Sequence, residues 1–105
     1  MSVIVTVRVK ADPRKLEEVA SSDPGRFKAV SDAAKPHGVI AHRFYGSEDG
    51  EVLVIDEWPD AESFHAFFQE QQGTIGPLMQ EVGATSAPEI GVWRKLESHD
   101  EIGWE

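Results

Sequence analysis

Few residues of this chain can do chemistry, and two histidines stand where they can reach a pocket. His65 follows Phe64 in the segment AESFHAFFQE, about 100° from it around a helix and at the edge of an apolar stripe. His42 lies within VIAHRFYG beside Arg43, so in a strand the two side chains point to opposite faces. Histidine can act as a base near neutral pH, and a guanidinium can stabilise an oxyanion. We therefore take His65, His42 and Arg43 as candidate catalytic residues.

Each candidate also has a structural interpretation. His65 can be a boundary residue half in solvent, and His42 or Arg43 can form a dimer contact or an edge-strand charge. The candidate ligand-binding residues are aromatic or cationic: Trp58, Phe64, Phe68, Arg8, Tyr45 and Trp93. Aromatic rings can stack on an aromatic ligand, although a stripe of them at helical spacing is equally typical of a core. An arginine can anchor an anionic group or pair with an acid at the strand's end.

Other site classes lack their signatures. The four histidines, at positions 37, 42, 65 and 99, have no tight ligand spacing, and there is no cysteine, so we expect no metal site. The segment GTIGP at 73–77 lacks the lysine and the preceding strand of a phosphate loop. The residues indicate no cofactor. Asp56 and Arg94 are expected to form a structural cross-strand ion pair.

The charge of the chain limits its partners. With 19 acidic and 10 basic residues, the net charge of −9 disfavours nucleic acid and anionic membranes. The start, MSVIVTVRVK, resembles a strand rather than a signal peptide, and no apolar run approaches a membrane span. We expect a cytoplasmic protein that binds a small neutral or weakly charged molecule.

The predicted elements alternate between strands and helical regions. Strands are predicted at 3–10, 39–46, 51–58 and 88–96, with a hairpin loop at 47–50 that ends in Asp-Gly. Aspartates begin the helices at Asp12-Pro13, Asp23-Pro24 and Asp60. Gly73 is expected to break the last helical region, with Thr74 capping a further helix and Pro77 in its first turn.

The order β-α-β-β-α-β predicts a ferredoxin-like α+β fold with a four-stranded antiparallel sheet and its helices on one face. The other face is then bare. Because the third strand is apolar on both faces, we predict a homodimer that covers this face. Ile4→Asp or Val5→Asp, depending on which face is bare, is expected to break the dimer.

Three stretches resemble the antibiotic biosynthesis monooxygenases of the dimeric α/β barrel superfamily. They are the strand at 3–10 followed by an acidic helix, the small-residue helix end SDAAKPHGV at 31–39, and the strand ending in Glu-Trp with its aspartate-capped helix at 54–68. The resemblance spans most of residues 3–96. We expect one domain at 1–96 and a polar tail at 97–105.

The resemblance implies a homodimeric barrel with a pocket between each sheet and its helices. It also implies oxidation of phenolic or quinol substrates by dioxygen without a cofactor, or haem degradation in other members. Here Thr6, Phe67 and Pro77 replace the Asn, Trp and His of the haem-degrading members, and the chain contains no Asn. That difference argues against haem degradation and favours the alternative, a non-catalytic dimer that binds a small molecule or is purely structural.

Overall fold

The computed structural model describes residues 1–103 of the chain. Its elements are β1 (Val3–Lys10), α1 (Pro13–Ser22), α2 (Pro24–Ala34), β2 (Ala41–Gly46), β3 (Glu51–Trp58), α3 (Ala61–Glu70), α4 (Gln72–Glu81) and β4 (Glu89–Arg94). A 3₁₀ turn, Lys35–His37, follows α2. Each helical region therefore consists of two helices, and the predicted order β-α-β-β-α-β is confirmed.

Within residues 1–103 the strands form one antiparallel sheet in the order β2-β3-β1-β4. This arrangement confirms the predicted ferredoxin-like α+β fold. The register places Asp56 of β3 directly between Val5 of β1 and His42 of β2. Side chains directly opposite each other share a face, so all three lie on the same side of the sheet.

Aspartate side chains begin two of the helices. The carboxylate of Asp12 accepts a hydrogen bond from the backbone N–H of Arg14 at 3.0 Å, and that of Asp60 accepts one from Ser63 at 2.8 Å. The bond from the Ser63 backbone N–H lowers the pKa of Asp60 below its ordinary value. Asp23 begins α2 without a side-chain cap, so the break there depends on its non-helical backbone and on the proline that follows.

The predicted start of α4 was wrong. Helix α3 ends at Glu70. Its C-cap is Gln71, whose N–H bonds to the carbonyl of Phe67 at 3.0 Å, and α4 begins at Gln72. Gly73 and Thr74 consequently lie inside α4, and Pro77 lies in its interior rather than in the first turn. The chain turns at Gln71, with φ −97° and ψ 9°, before it reaches the glycine.

The core lies between the sheet and the helices, in two clusters. One contains Val5, Ala34, Trp58, Phe64 and Phe67, and the other contains Val9, Ala11, Leu16, Val52 and Val82. Both clusters join alternate residues of the central strands to the helices. Val5, Trp58 and Val82 are wholly buried. These contacts fix which side of each strand faces the helices.

We call the opposite side of the sheet the bare face. Its residues include Ile4, Thr6, Arg8, Lys10, Arg43, Tyr45, Glu51, Leu53, Ile55, Glu57, Glu89, Gly91 and Trp93. No helix within residues 1–103 covers it, and Trp93 is 59% exposed. Ile4 lies on the bare face and Val5 on the helix side. Of the two substitutions considered from the sequence, Ile4→Asp is therefore the one expected to affect the dimer. Homodimerisation stays a prediction.

Residues 95–103 follow β4 without forming a helix or strand, and they are exposed. The last part of the predicted tail, Trp104 and Glu105, lies outside the described residues. Across positions 1–103, no helix is both long enough and apolar enough to cross a membrane. The limits of the predicted domain, 1–96, stay a prediction.

Candidate functional site

A cavity of about 420 Å³ lies between the sheet and the helices. Most of its wall is apolar, formed by Val7, Val9, Phe27, Val30, Ala34, Val39, Ile40, Ala41, Phe44, Val52, Val54, Phe64, Phe67, Phe68, Ile75, Leu78, Met79, Ala84 and Pro88. The polar side chains in the wall belong to Ser31, Lys35, His42, Asp56 and Ser86. The volume falls within the range typical of small-molecule sites.

His42 and Asp56 form a hydrogen-bonded pair in this wall. The Nδ1 atom of His42 lies 2.7 Å from Oδ1 of Asp56, and Nε1 of Trp58 donates to Oδ2 of the same carboxylate at 3.1 Å. Asp56 is 5% exposed and Trp58 is fully buried, whereas the His42 side chain keeps 35% of its surface. A carboxylate buried among apolar residues is expected to be hydrogen-bonded, and here both oxygens are.

The donor and acceptor roles follow from the carboxylate. An ionised carboxylate only accepts hydrogen bonds, so with Asp56 ionised the donor of this bond is Nδ1 of His42. In the neutral imidazole the other nitrogen, Nε2, then has a free lone pair. None of the hydrogen bonds among residues 1–103 uses that atom. Because His42 lines the cavity, it is a candidate base for a molecule bound there.

Two other polar residues of the wall have partners of their own. The ammonium of Lys35 lies 3.1 Å from the carboxylate of Asp32, and its side chain is 72% exposed. The hydroxyl of Ser86 accepts a hydrogen bond from the backbone N–H of Lys10 at 2.9 Å. Of the ionisable side chains in the wall, His42 is consequently the one best placed to act on a ligand.

The aromatic side of α3 supports the cavity without filling it. The rings of Phe64 and Phe68 are stacked with centroids 5.3 Å apart, and both line the cavity. Trp58 packs against Phe64 at 5.8 Å and Phe67 at 5.4 Å, but it does not contribute to the cavity wall. Trp58 is thus placed to hold Asp56 rather than to stack on a ligand.

The structure separates the other candidate residues from the cavity. His65 is exposed on α3 and is not part of the cavity wall, although its ring lies 5.4 Å from that of Phe64. Arg43 and Tyr45 lie on the bare face, where the guanidinium sits 6.0 Å from the tyrosine ring. Of the predicted catalytic residues, only His42 lines the cavity, so the predicted constellation is divided between two sides of the sheet.

Arg8 and Trp93 also lie on the bare face and form contacts there. Arg8 makes two hydrogen bonds to Glu51, at 2.6 and 2.9 Å. These bonds and the opposite charge raise the pKa of Arg8 and lower that of Glu51. The indole of Trp93 donates to the hydroxyl of Thr6 at 2.9 Å and lies over Gly91, where a Cβ would be only 2.8 Å from Nε1.

The predicted ion pair between Asp56 and Arg94 was wrong. Arg94 is opposite Val3 in the register of β4 and is exposed, whereas Asp56 is two positions further along the sheet and beyond β1. Asp56 instead pairs with His42 on the neighbouring strand. The sequence offered one signal for this role of Asp56: it shares strand parity with Val52, Val54 and Trp58, and in the structure Val52, Asp56 and Trp58 are all buried.

Within residues 1–103, no group of three or more His, Asp and Glu side chains is arranged to hold a metal ion. The acidic partner of His42 in this group is Asp56, at 2.7 Å. The pair is therefore suited to orienting a histidine rather than to binding a cation.

Comparison with known proteins identifies the fold. No family model matches the sequence, and no curated protein matches it. Solved structures do match. An antibiotic biosynthesis monooxygenase superposes on 90% of this chain and 98% of its own, with a TM-score of 0.63 and 13% identity. The chain has the fold of the antibiotic biosynthesis monooxygenases.

Two further structures share this fold and have stated activities. A monooxygenase of Streptomyces coelicolor, solved in complex with nanaomycin D, matches 90% of this chain and 88% of its own, with a TM-score of 0.66 and 13% identity. SnoaB, a cofactor-independent oxygenase of Streptomyces nogalater, matches 95% of this chain and 98% of its own, with a TM-score of 0.59 and 19% identity. At these identities the likeness is one of fold.

Proposed function

We propose that this chain is a cytoplasmic homodimeric protein that binds a small phenolic or quinol compound in its cavity and oxygenates it without a cofactor. The observation that carries the proposal is the His42–Asp56 pair in the wall of an otherwise apolar cavity. Similar folds include a cofactor-independent oxygenase and a monooxygenase solved with a small-molecule ligand, which supports the reaction class.

The size and polarity of the cavity define the ligand. A volume of about 420 Å³ equals that of about 14 water molecules at about 30 Å³ each, enough for about two or three fused aromatic rings. The rings would contact Phe64, Phe68 and Val54, and one hydroxyl would face His42. A neutral compound also suits a chain with a net charge of −9.

The reaction needs little from the protein beyond binding and proton transfer. His42 takes the proton of the phenol at Nε2, and the electron-rich phenolate carbon forms a bond to dioxygen. The imidazolium returns the proton to the resulting peroxide anion. Loss of the C–H proton and cleavage of the O–O bond then give a quinone, so that phenol and dioxygen become quinone and water. The apolar wall limits the access of water to these intermediates.

The test is oxygen uptake with 1-naphthol, which would give 1,4-naphthoquinone and water. His42→Gln is expected to lower kcat by roughly 10²–10⁴-fold, the usual contribution of a general base. The matched control is His65→Gln, because His65 is exposed and outside the cavity wall. This variant should retain the wild-type rate. A larger loss in His65→Gln than in His42→Gln would contradict the assignment.

A non-catalytic binding protein is the second candidate. It is favoured by the absence of asparagine from the chain and by a wall in which His42 is the single available base. Such a protein would bind 1-naphthol in a calorimetric titration without taking up oxygen. Binding without turnover for both 1-naphthol and 1,4-dihydroxynaphthalene would favour this candidate and overturn the oxygenase proposal.

A further inference from the structure

Asp56 receives hydrogen bonds from two donors of different kinds. Nδ1 of His42 approaches one carboxylate oxygen at 2.7 Å, and Nε1 of Trp58 approaches the other at 3.1 Å. Indole can only donate, whereas imidazole can donate or accept at either nitrogen, depending on its tautomer. The indole of Trp58 therefore needs an acceptor. The histidine can bond to either a donor or an acceptor by changing its tautomer.

We propose that Asp56, held by Trp58, is a positioning residue that fixes His42 in the tautomer with the proton on Nδ1. In this tautomer Nε2 is the basic nitrogen. The tautomer itself follows from the three side chains alone, and its catalytic consequence rests on the proposed function.

Burial makes the indole the fixed partner. Trp58 is fully buried and packed edge-on against Phe64 at 5.8 Å, so no water is available to replace Asp56 as its acceptor. The His42 ring is partly exposed, its side chain retaining 35% of its surface, and it can exchange a protein partner for water. When the two donors compete for one acceptor, the indole should keep it.

This asymmetry predicts an unusual effect of Asp56→Asn. An amide offers one oxygen and one NH₂ group in place of two oxygens. The oxygen should turn to the indole of Trp58, which leaves the NH₂ group facing His42. An NH₂ group can only donate, so Nδ1 must become the acceptor and the proton must move to Nε2. A change of one atom type is thus expected to invert the histidine tautomer with little change in shape.

The experiment is nitrogen-15 NMR of the His42 side chain, in the absence of any substrate and at a pH where the ring shifts report a neutral imidazole. Wild type and Trp58→Phe should both show the proton on Nδ1, because Asp56 still accepts from His42 in each. Asp56→Asn should show it on Nε2. In the double variant Asp56→Asn, Trp58→Phe the indole no longer selects the amide orientation, so the fraction with the proton on Nδ1 should rise above that of Asp56→Asn.

Each part of the proposal has a result that would overturn it. A wild-type protein with the proton on Nε2 overturns it outright, and this measurement needs no variant. Retention of the Nδ1 proton in Asp56→Asn overturns the inversion, and equal tautomer ratios in Asp56→Asn and the double variant remove the role of Trp58. Backbone amide spectra show whether each variant is folded. Where a variant is unfolded, the wild-type spectrum alone decides whether Asp56 fixes the tautomer.

Activity provides a separate measurement. If His42 is the base of the proposed reaction, Asp56→Asn should lower oxygen uptake with 1-naphthol by roughly 10²–10⁴-fold while its affinity for 1-naphthol changes little. Tautomer inversion without any oxygen uptake in the wild type would support the inference and contradict the oxygenase. Oxygen uptake in the wild type that is unaffected by a demonstrated inversion would support the oxygenase and show that positioning by Asp56 is not needed.

Discussion

Replacing Ile4 by Asp is expected to separate the proposed dimer while leaving the chain folded. Ile4 lies on the bare face, opposite Glu57 of β3 and Trp93 of β4. A new carboxylate directly opposite Glu57 costs the sheet roughly 0.2–1 kcal/mol. This is small beside the stability of about 5–15 kcal/mol that is typical of a domain. The monomer should therefore survive the substitution.

The dimensions of the sheet give the area of the proposed dimer interface and hence the expected weakening of association. The eight residues of β3 extend about 27 Å, and strands about 4.8 Å apart give a width of about 19 Å. The bare face thus covers roughly 500 Å² per protomer, or roughly 1,000 Å² for a pair, close to the lower limit of a stable interface. A two-fold axis buries two new carboxylates, and a total loss of about 4 kcal/mol would weaken association roughly 10³-fold.

Sedimentation equilibrium measures the dissociation constant directly. Ala66→Asp is the matched control, because it adds the same charge at an exposed position of α3, away from the bare face. Val5→Asp is the second control: Val5 is 0% exposed on the helix side, so this variant should unfold and lose its circular dichroism signal. A wild-type monomer, or equal dissociation constants for Ile4→Asp and Ala66→Asp, would refute the barrel-like dimer.

Two further substitutions test the helix side of the sheet. Phe64→Ala is expected to lower the free energy of unfolding by about 3–5 kcal/mol, because the ring is 1% exposed. A urea titration that shows a loss of less than about 1 kcal/mol would contradict the core position of Phe64. Asp60→Asn removes a carboxylate whose pKa is lowered by the backbone N–H of Ser63. A lowered folded-state pKa adds stability above the unfolded pKa and loses it as the pH falls through the folded pKa. The thermal midpoints of wild type and Asp60→Asn should therefore differ at neutral pH and converge in acid, and a difference independent of pH would contradict this linkage.

The strands could be predicted because their patterns are local. Alternation along β1 marks one buried side, and the Asp49-Gly50 pair marks the hairpin, where Gly50 adopts φ 82° as such a turn requires. The break between α3 and α4 was misplaced because Gly73 is a weaker determinant than the hydrogen bond that ends α3 at Gln71. Helix ends depend on such individual contacts, which a sequence pattern does not contain.

The candidate site was harder to predict than the fold. Alternation shows that His42 and Arg43 face opposite sides, but it does not show which side carries the helices. That choice depends on the pairing of β2 with β3, since Asp56 opposes His42 only in the observed register. For the same reason, the sequence alone does not show whether Arg8, Tyr45 and Trp93 lie on the side of the sheet that carries the pocket.

The register of β2 therefore determines what chemistry the cavity can perform. Strand pairing that slips by one residue moves every side chain to the opposite face, so Arg43 would enter the cavity and His42 would leave it. Arginine remains protonated at any physiological pH and would favour an anionic ligand, whereas histidine can exchange a proton with a neutral one. The register is set by the hairpin, in which Ser47 donates its backbone N–H to the carbonyl of Glu51 at 2.9 Å. A short polar turn, outside the cavity, thus decides whether the cavity contains a base or a fixed positive charge.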